Sequence, residues 1–236
     1  MDDDTIDYQL ADAIQKTSVV RPPRQALATF GTTAVRYYLV TEPAFRDLPG
    51  ASVEPESVVR EGVVRAERPQ VVTPYFLSRH EGFGDHTQEY FNHLIEQYGP
   101  DSPGLLYTYK NEAMETSIVT GTPDEVAARI GERLNREERS LEAVVRGIDE
   151  MWDVSLMKFI YELTNRSARA NFDDLRSNGL LGVDNGVPRD ARHRIERLMH
   201  LARVGQADPA DVHRELERWG LFDEYQDRFL GLFRGR

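Results

Sequence analysis

Arginine, tyrosine and lysine on one face of a sheet can grip an anion, and this chain offers such a set. In "AVRYYLVTE", residues 34–42, Val35, Tyr37 and Leu39 alternate with Arg36, Tyr38 and Val40, so Arg36 and Tyr38 share the face opposite Val35. In "GLLYTYK", residues 104–110, Lys110 likewise lies opposite Leu105, Tyr107 and Tyr109. If the two polar faces line up, Arg36, Tyr38 and Lys110 form a cationic, aromatic-edged surface for an anionic ligand. Arg21 and Arg24 of the preceding "RPPRQALATFGTT" stretch would stand at its rim. The competing expectation is a ladder ion pair between Arg36 and Glu61 or Glu67 of "REGVVRAERP". Those two glutamates are also the bases that an enzyme acting on a phosphorylated or carboxylated small molecule would use beside the Arg36 and Lys110 anion holders. The Gly31-Thr32-Thr33 triplet precedes its strand, whereas a phosphate loop follows one and opens a helix. It reads as a strand-entry turn.

Other chemistry is thinner. Asp149 borders an apolar stripe that includes Trp152, a setting that could shift its pKa toward general acid or base work. Its spacing to Asp153 fits no glycosidase or di-metal pattern. His86 and His93, like His193 and His200, stand seven apart, which puts the rings roughly 10 Å apart along a helix, too far to chelate. Cysteine is absent, so disulfides, thiol nucleophiles and cysteine metal sites are excluded. The expectation is no metal and no cofactor. The segment 187–220 has a helix-turn-helix order, but its second helix carries Asp211, Glu215 and Glu217, the wrong sign for a DNA groove. Its arginine-rich first helix suits an acidic partner or the chain's own acidic surface. A formal net charge of −11 weighs against nucleic acid in general. Only Lys16, Lys110 and Lys158 of the 29 cations are lysine. The start is acidic and no long apolar run occurs, so the expected setting is cytoplasmic, without a membrane.

The elements that must position these groups follow from pattern. Residues 1–20 read as an acidic lead with a short amphipathic helix, ended by Pro22 and Pro23. Strands are expected at 34–42 and 57–69, the latter with a bulge at Gly62, then a helix over 86–98. Two further strands, 104–110 and 114–120, are expected to join at a tight turn on Asn111 and Glu112. Thr122, Pro123, Asp124 and Glu125 open a helix with a cap, a proline and dipole-matched acids. From Ser140 onward the spacing predicts helix, with Leu141, Val145, Ile148, Trp152, Leu156, Phe159 and Leu163 facing a core. A second stripe, Val154, Met157 and Tyr161, is expected to pack internally, the alternative being a partner subunit. Helices over 189–203, 209–219 and 223–234 complete the chain, with Asp208-Pro209 as a start and Gly220 as a stop.

The phrases "ATFGTTAVRYYLVTE", "REGVVRAERPQVVTP" and "VVRGIDEMWDVSLMKF" resemble those of an uncharacterised bacterial family of hypothetical proteins, over about residues 22–170. The resemblance implies no activity, cofactor or catalytic residue, and supports treating that stretch as one unit.

The expected fold is therefore α+β: an antiparallel-rich, roughly four-stranded sheet covered by helices (21–178), then a helical region (188–236). The expected function is a non-enzymatic binding or interaction protein, for a small anionic ligand or a protein partner, with homo-oligomerisation suggested by the two-faced helix. The enzyme described above is the alternative.

Overall fold

The computed structural model describes residues 3–44, 54–78 and 85–233. His80 lies outside them. The chain divides into two compact units, Met1–Arg68 with Tyr107–Asn171, and Pro69–Leu106 with Phe172–Arg236. Residues 69–106 thus group with the C-terminal region rather than with the expected 21–178 domain.

The first unit is built on a five-stranded sheet of order β1-β7-β2-β3-β6. Its strands are β1 (Ser18–Arg21), β2 (Thr33–Glu42), β3 (Glu56–Ala66), β6 (Tyr109–Thr120) and β7 (Glu142–Ile148). The class is α+β as expected; the sheet has five strands rather than roughly four, and it is mixed, with three of its four pairings antiparallel. Strands β2 and β7 run parallel, and the other neighbours are antiparallel. It follows that β6, β2 and β7 all point the same way. Helix α4 (Pro123–Arg136) connects β6 to β7, as a parallel crossover requires.

Each sheet face buries its own core. On one face Val35, Tyr37, Leu39, Val64, Ala143 and Val145 pack with Leu156, Phe159, Ile160 and Leu163 of α5 (Trp152–Ser177). On the other, Tyr38, Val40, Val59 and Val144 pack with Val126, Ala127 and Leu134 of α4. Thr122 caps α4 in a reciprocal box with Glu125, as its sequence predicts. Helix α1 (Asp3–Lys16) is held by Lys158, which donates to the Ile14 and Thr17 carbonyls at 2.9 and 2.7 Å.

Two expectations fail here for physical reasons. Residues 142–148 form a central strand rather than the start of a helix. Ala143, Val144 and Val145 are all fully buried, because a strand between helix-covered faces hides successive side chains, and such a run mimics helical spacing. The helix starts only at Trp152. The expected hairpin at Asn111 and Glu112 is also absent: β6 is one continuous strand of 12 residues. Its register against β3 slips between Glu61 and Gly62, where Ala113 and Glu115 are the partners, so the extra residue is Met114 on β6 rather than Gly62 itself. Gly62 serves a different need. A Cβ there would stand 2.4 Å from the Tyr37 oxygen, and Tyr37 is only 1 % exposed. Gly62→Ala is therefore expected to destabilise the protein by about 1–3 kcal/mol, read as a lower urea midpoint at unchanged slope.

The second unit holds the two-stranded sheet of β4 (Gln70–Val72) and β5 (Gly104–Leu106), with α2 (Pro74–Ser78) and α3 (Asp85–Tyr98) between them in sequence. After it come the hairpin β8 (Val183–Asp184) and β9 (Val187–Pro188), then α6 (Arg189–Arg203), α7 (Pro209–Trp219) and α8 (Phe222–Leu230). The hairpin turns on Asn185 and Gly186, both with positive φ, as a tight turn of that kind demands. Its core gathers Val72, Phe76, Ile195, Met199, Val212, Leu216, Trp219, Tyr225 and Phe229. The basic face of α6 answers the chain's own acids: Arg189 meets Asp184, Arg192 meets Glu224 and Arg194 meets Glu215.

Candidate functional site

The strand order decides what Arg36 can meet. Arg36 sits opposite Val63 on β3 and Glu142 on β7, and Tyr38 opposite Glu61. Arg36 and Tyr38 share one face as their alternation predicts. Tyr38 is buried beneath α4, with the Arg133 guanidinium 5.5 Å from its ring centre. Its hydroxyl donates to Glu142 Oε2 at 3.1 Å. A hydrogen bond to the Tyr38 oxygen, opposed by burial and aided by Glu142 and Glu61, holds the Arg36 guanidinium above its usual pKa. Arg36 therefore belongs to a local Arg–Tyr–Glu relay. It opens on a shallow cleft of about 460 Å³, lined also by Glu137, Glu138, Arg139 and Glu142, whose acids outnumber its cations.

Lys110 does not join it. It pairs with Arg65, which in turn faces Ala34, so it stands two strands from β2, about 10 Å sideways. It is highly exposed and lies 3.5 Å from Glu112. Glu67 follows Ala66, the residue opposite Thr33, and so is not opposite Arg36; its N–H donates to the Thr108 carbonyl at 3.0 Å. The expected convergence of Arg36, Tyr38 and Lys110 is thus not formed.

Arg21 is a buried staple instead of a rim charge. It donates to Asn135 Oδ1 at 2.8 Å, to the Arg139 carbonyl at 2.7 Å and to the Glu142 carbonyl, tying β1 to the turn between α4 and β7. Burial, with neighbouring Arg24, lowers its pKa. Arg24 is exposed and reaches Asn135 Oδ1 at 3.3 Å.

At the opposite end of the sheet lies a cleft of about 910 Å³. It sits outside the carboxyl ends of the parallel strands β2 and β7, the usual ligand position in sheets with parallel strands. Glu42, Pro43, Arg146, Asp149 and Glu150 line it, with Lys16 of α1 and Pro123 of α4. Both of its cations are matched: Lys16 meets Asp12 at 2.7 Å and Arg146 meets Asp124 at 3.1 Å. Asp149 accepts from Thr41 Oγ1 at 2.8 Å, from the Ala44 N–H at 3.3 Å and from Arg60. Burial pushes the Asp149 carboxyl up, but Arg60, Thr41 and Ala44 outweigh it and hold the group below its ordinary pKa. An acid fixed in its ionised form, with both oxygens occupied, is a clamp between strand ends rather than a proton donor.

Sequence reasoning missed several residues that do this tying. Arg60 lies in the alternating run of β3 and was legible only as a generic ladder charge. Asn171, 1 % exposed, accepts from the Tyr107 hydroxyl at 2.8 Å and donates to the Leu27 carbonyl at 2.8 Å and to Thr29 Oγ1 at 2.9 Å. Nothing in its local sequence marks it. Burial, with Tyr109 nearby, pushes the Tyr107 phenol up to about 12.

The first unit also leaves large apolar side chains open. Met157 and Tyr161 of α5 are 62 % and 66 % exposed, and Met114 and Ile118 of β6 are 54 % and 58 % exposed. The stripe expected to pack internally thus faces outward. Among the described residues no group of three metal-ligating side chains comes together, and no helix is long and apolar enough to cross a membrane.

Fold and site together describe an α+β protein with helices on both faces of a mixed sheet, whose charged residues chiefly serve one another. Comparison with protein-family models, curated proteins and solved structures finds no match.

Proposed function

We propose that this chain is a non-enzymatic interaction protein of the cytoplasm, and that the β6 and α5 side of its first unit is the docking face. The observation that carries the reading is the contrast within that unit. The groups able to do chemistry, Asp149, Arg21, Tyr38 and Glu142, are spent on internal hydrogen bonds, while Met157, Tyr161 and Ile118 are left in water. Exposed apolar groups gathered on one side mark association surfaces. The resemblance to a bacterial family over residues 22–170 stays with this reading and adds no activity to it.

A thermal-shift panel of nucleotides, phosphorylated sugars, carboxylates and divalent metals tests it. The expected result is no class-selective rise in Tm. A ligand at a hundred times its Kd would give about 5–10 °C, and such a rise from one class would contradict the reading.

A further inference from the structure

Among the described residues strand β6 is an outer strand of its sheet, and its two halves guard that edge differently. Over residues 109–115, Lys110, Glu112, Glu115 and the irregularity at Met114 discourage the addition of another strand. Residues 116–120, Thr-Ser-Ile-Val-Thr, carry no charge and no proline, and all but Ser117 are β-branched. That composition suits a paired strand, and its charged contact is at the far end, where the Thr120 carbonyl accepts from Arg129 at 3.3 Å.

Helix α5 adds a second observation. Met157, Tyr161 and Thr164 follow at helical spacing and share one flank, and Thr164 Oγ1 lies 2.5 Å from the hydroxyl of Tyr109, the first residue of β6. Toward the other end, Arg60, which pairs with Thr116, stands 5.9 Å from the Trp152 ring centre. The exposed Met157 and Tyr161 therefore run beside β6. Ile118 pairs with Val58, which lies opposite Thr41, and so points to this same side of the sheet.

We propose that residues 116–120 pair antiparallel with the same residues of a second copy of this chain, about a two-fold axis at Ile118. This inference rests on the interaction reading above and names its partner. In that register Ile118 faces Ile118, Ser117 faces Val119 and Thr116 faces Thr120. Glu115 falls opposite Gly121, so no charge meets its like. An axis at Glu115 would instead oppose two carboxylates, and one at Ser117 would leave Ile118 against Thr116. Two copies of net charge −11 repel across most of their surface, and the uncharged run is where they can approach. A self-pairing uses the β-branched stretch on both sides, and it joins two sheets into one. The two Met157 and Tyr161 stripes then lie on the same side of the joined sheet, flanking a floor that contains both Ile118 side chains.

The chain contains no cysteine, so a single introduced thiol reports its own neighbour. With oxidised glutathione, Ile118→Cys is expected to form a disulfide-linked dimer, since facing residues of an antiparallel pair lie within disulfide reach. Lys110→Cys is expected to form no disulfide-linked dimer. Ile118→Lys, which sets two ammonium groups face to face, is expected to show a single-chain mass with an unchanged circular dichroism spectrum. Equal cross-linking at both positions, or a dimeric mass for Ile118→Lys, would overturn the proposal. A single-chain mass for the unsubstituted protein would overturn self-pairing alone, because the interaction reading fails on a different result, the ligand-selective rise in Tm.

Discussion

Asp149→Ala is expected to destabilise the protein by on the order of 3 kcal/mol, a fall in Tm of about 6–12 °C at this chain length. The substitution strips Arg60 of its carboxylate partner and removes the acceptor for Thr41 and the Ala44 N–H. Both charged side chains are largely buried, Arg60 to 22 % and Asp149 to 16 % exposure, so the orphaned guanidinium is not fully rehydrated and the loss exceeds that of a surface pair. A pH dependence follows. The folded-state pKa of Asp149 is depressed, so its contribution is complete above the ordinary carboxylate range. It is lost as pH falls through that range toward the folded value. Urea midpoints of the unsubstituted protein should drop on acidification below about pH 4, and those of Asp149→Asn should drop less. Equal acid sensitivity in the two proteins would show that Asp149 is not the clamp described.

Trp219→Ala should be at least as damaging, about 3–5 kcal/mol. Trp219 is 2 % exposed at the end of α7 and stacks on Phe76 of α2 at 4.1 Å between ring centres. Its indole N–H donates to Glu215 Oε1 at 3.0 Å, and Glu215 also holds Arg194 and Arg218. Truncation opens a cavity and takes one donor from a carboxylate on which two arginines converge. Trp219→Phe keeps an aromatic surface against Phe76 and should recover more than half the loss, which separates packing from the hydrogen bond. Chemical denaturation followed by near-ultraviolet circular dichroism reads both variants. A loss below about 1 kcal/mol for Trp219→Ala would mean that the second unit does not depend on this stack.

Local chemistry carried through the sequence well. The capped start of α4 at Thr122, the Asp208-Pro209 start and Gly220 stop of α7, and the strand alternation of β2 are each set by residues within a turn of where they act. Long-range partnership did not carry. Residues 142–148 have an apolar spacing that serves a central strand and a helix equally well, and only burial on both faces separates the two. The short β1 and β4 take their strand character from partners far along the chain, β7 and β5. The anion surface depended on which strand would lie beside β2. Alternation put Arg36 and Tyr38 on one face, but β3 lies between β2 and β6, which sets Lys110 apart. Arg21 read as a free cation because its acceptors, two carbonyls and an amide, leave no trace in a charge pattern. A helix apolar on two sides fits internal packing and a partner surface equally well by spacing, and it is the 62 % and 66 % exposure of Met157 and Tyr161 that separates them.

The most direct measurement of the self-pairing is the mass of the unsubstituted chain in solution, by light scattering or sedimentation at rising concentration. Pairing through residues 116–120 predicts twice the 27.0 kDa of one chain, falling to a single-chain mass in Ile118→Lys. A mass of 27.0 kDa throughout the accessible concentration range would contradict it.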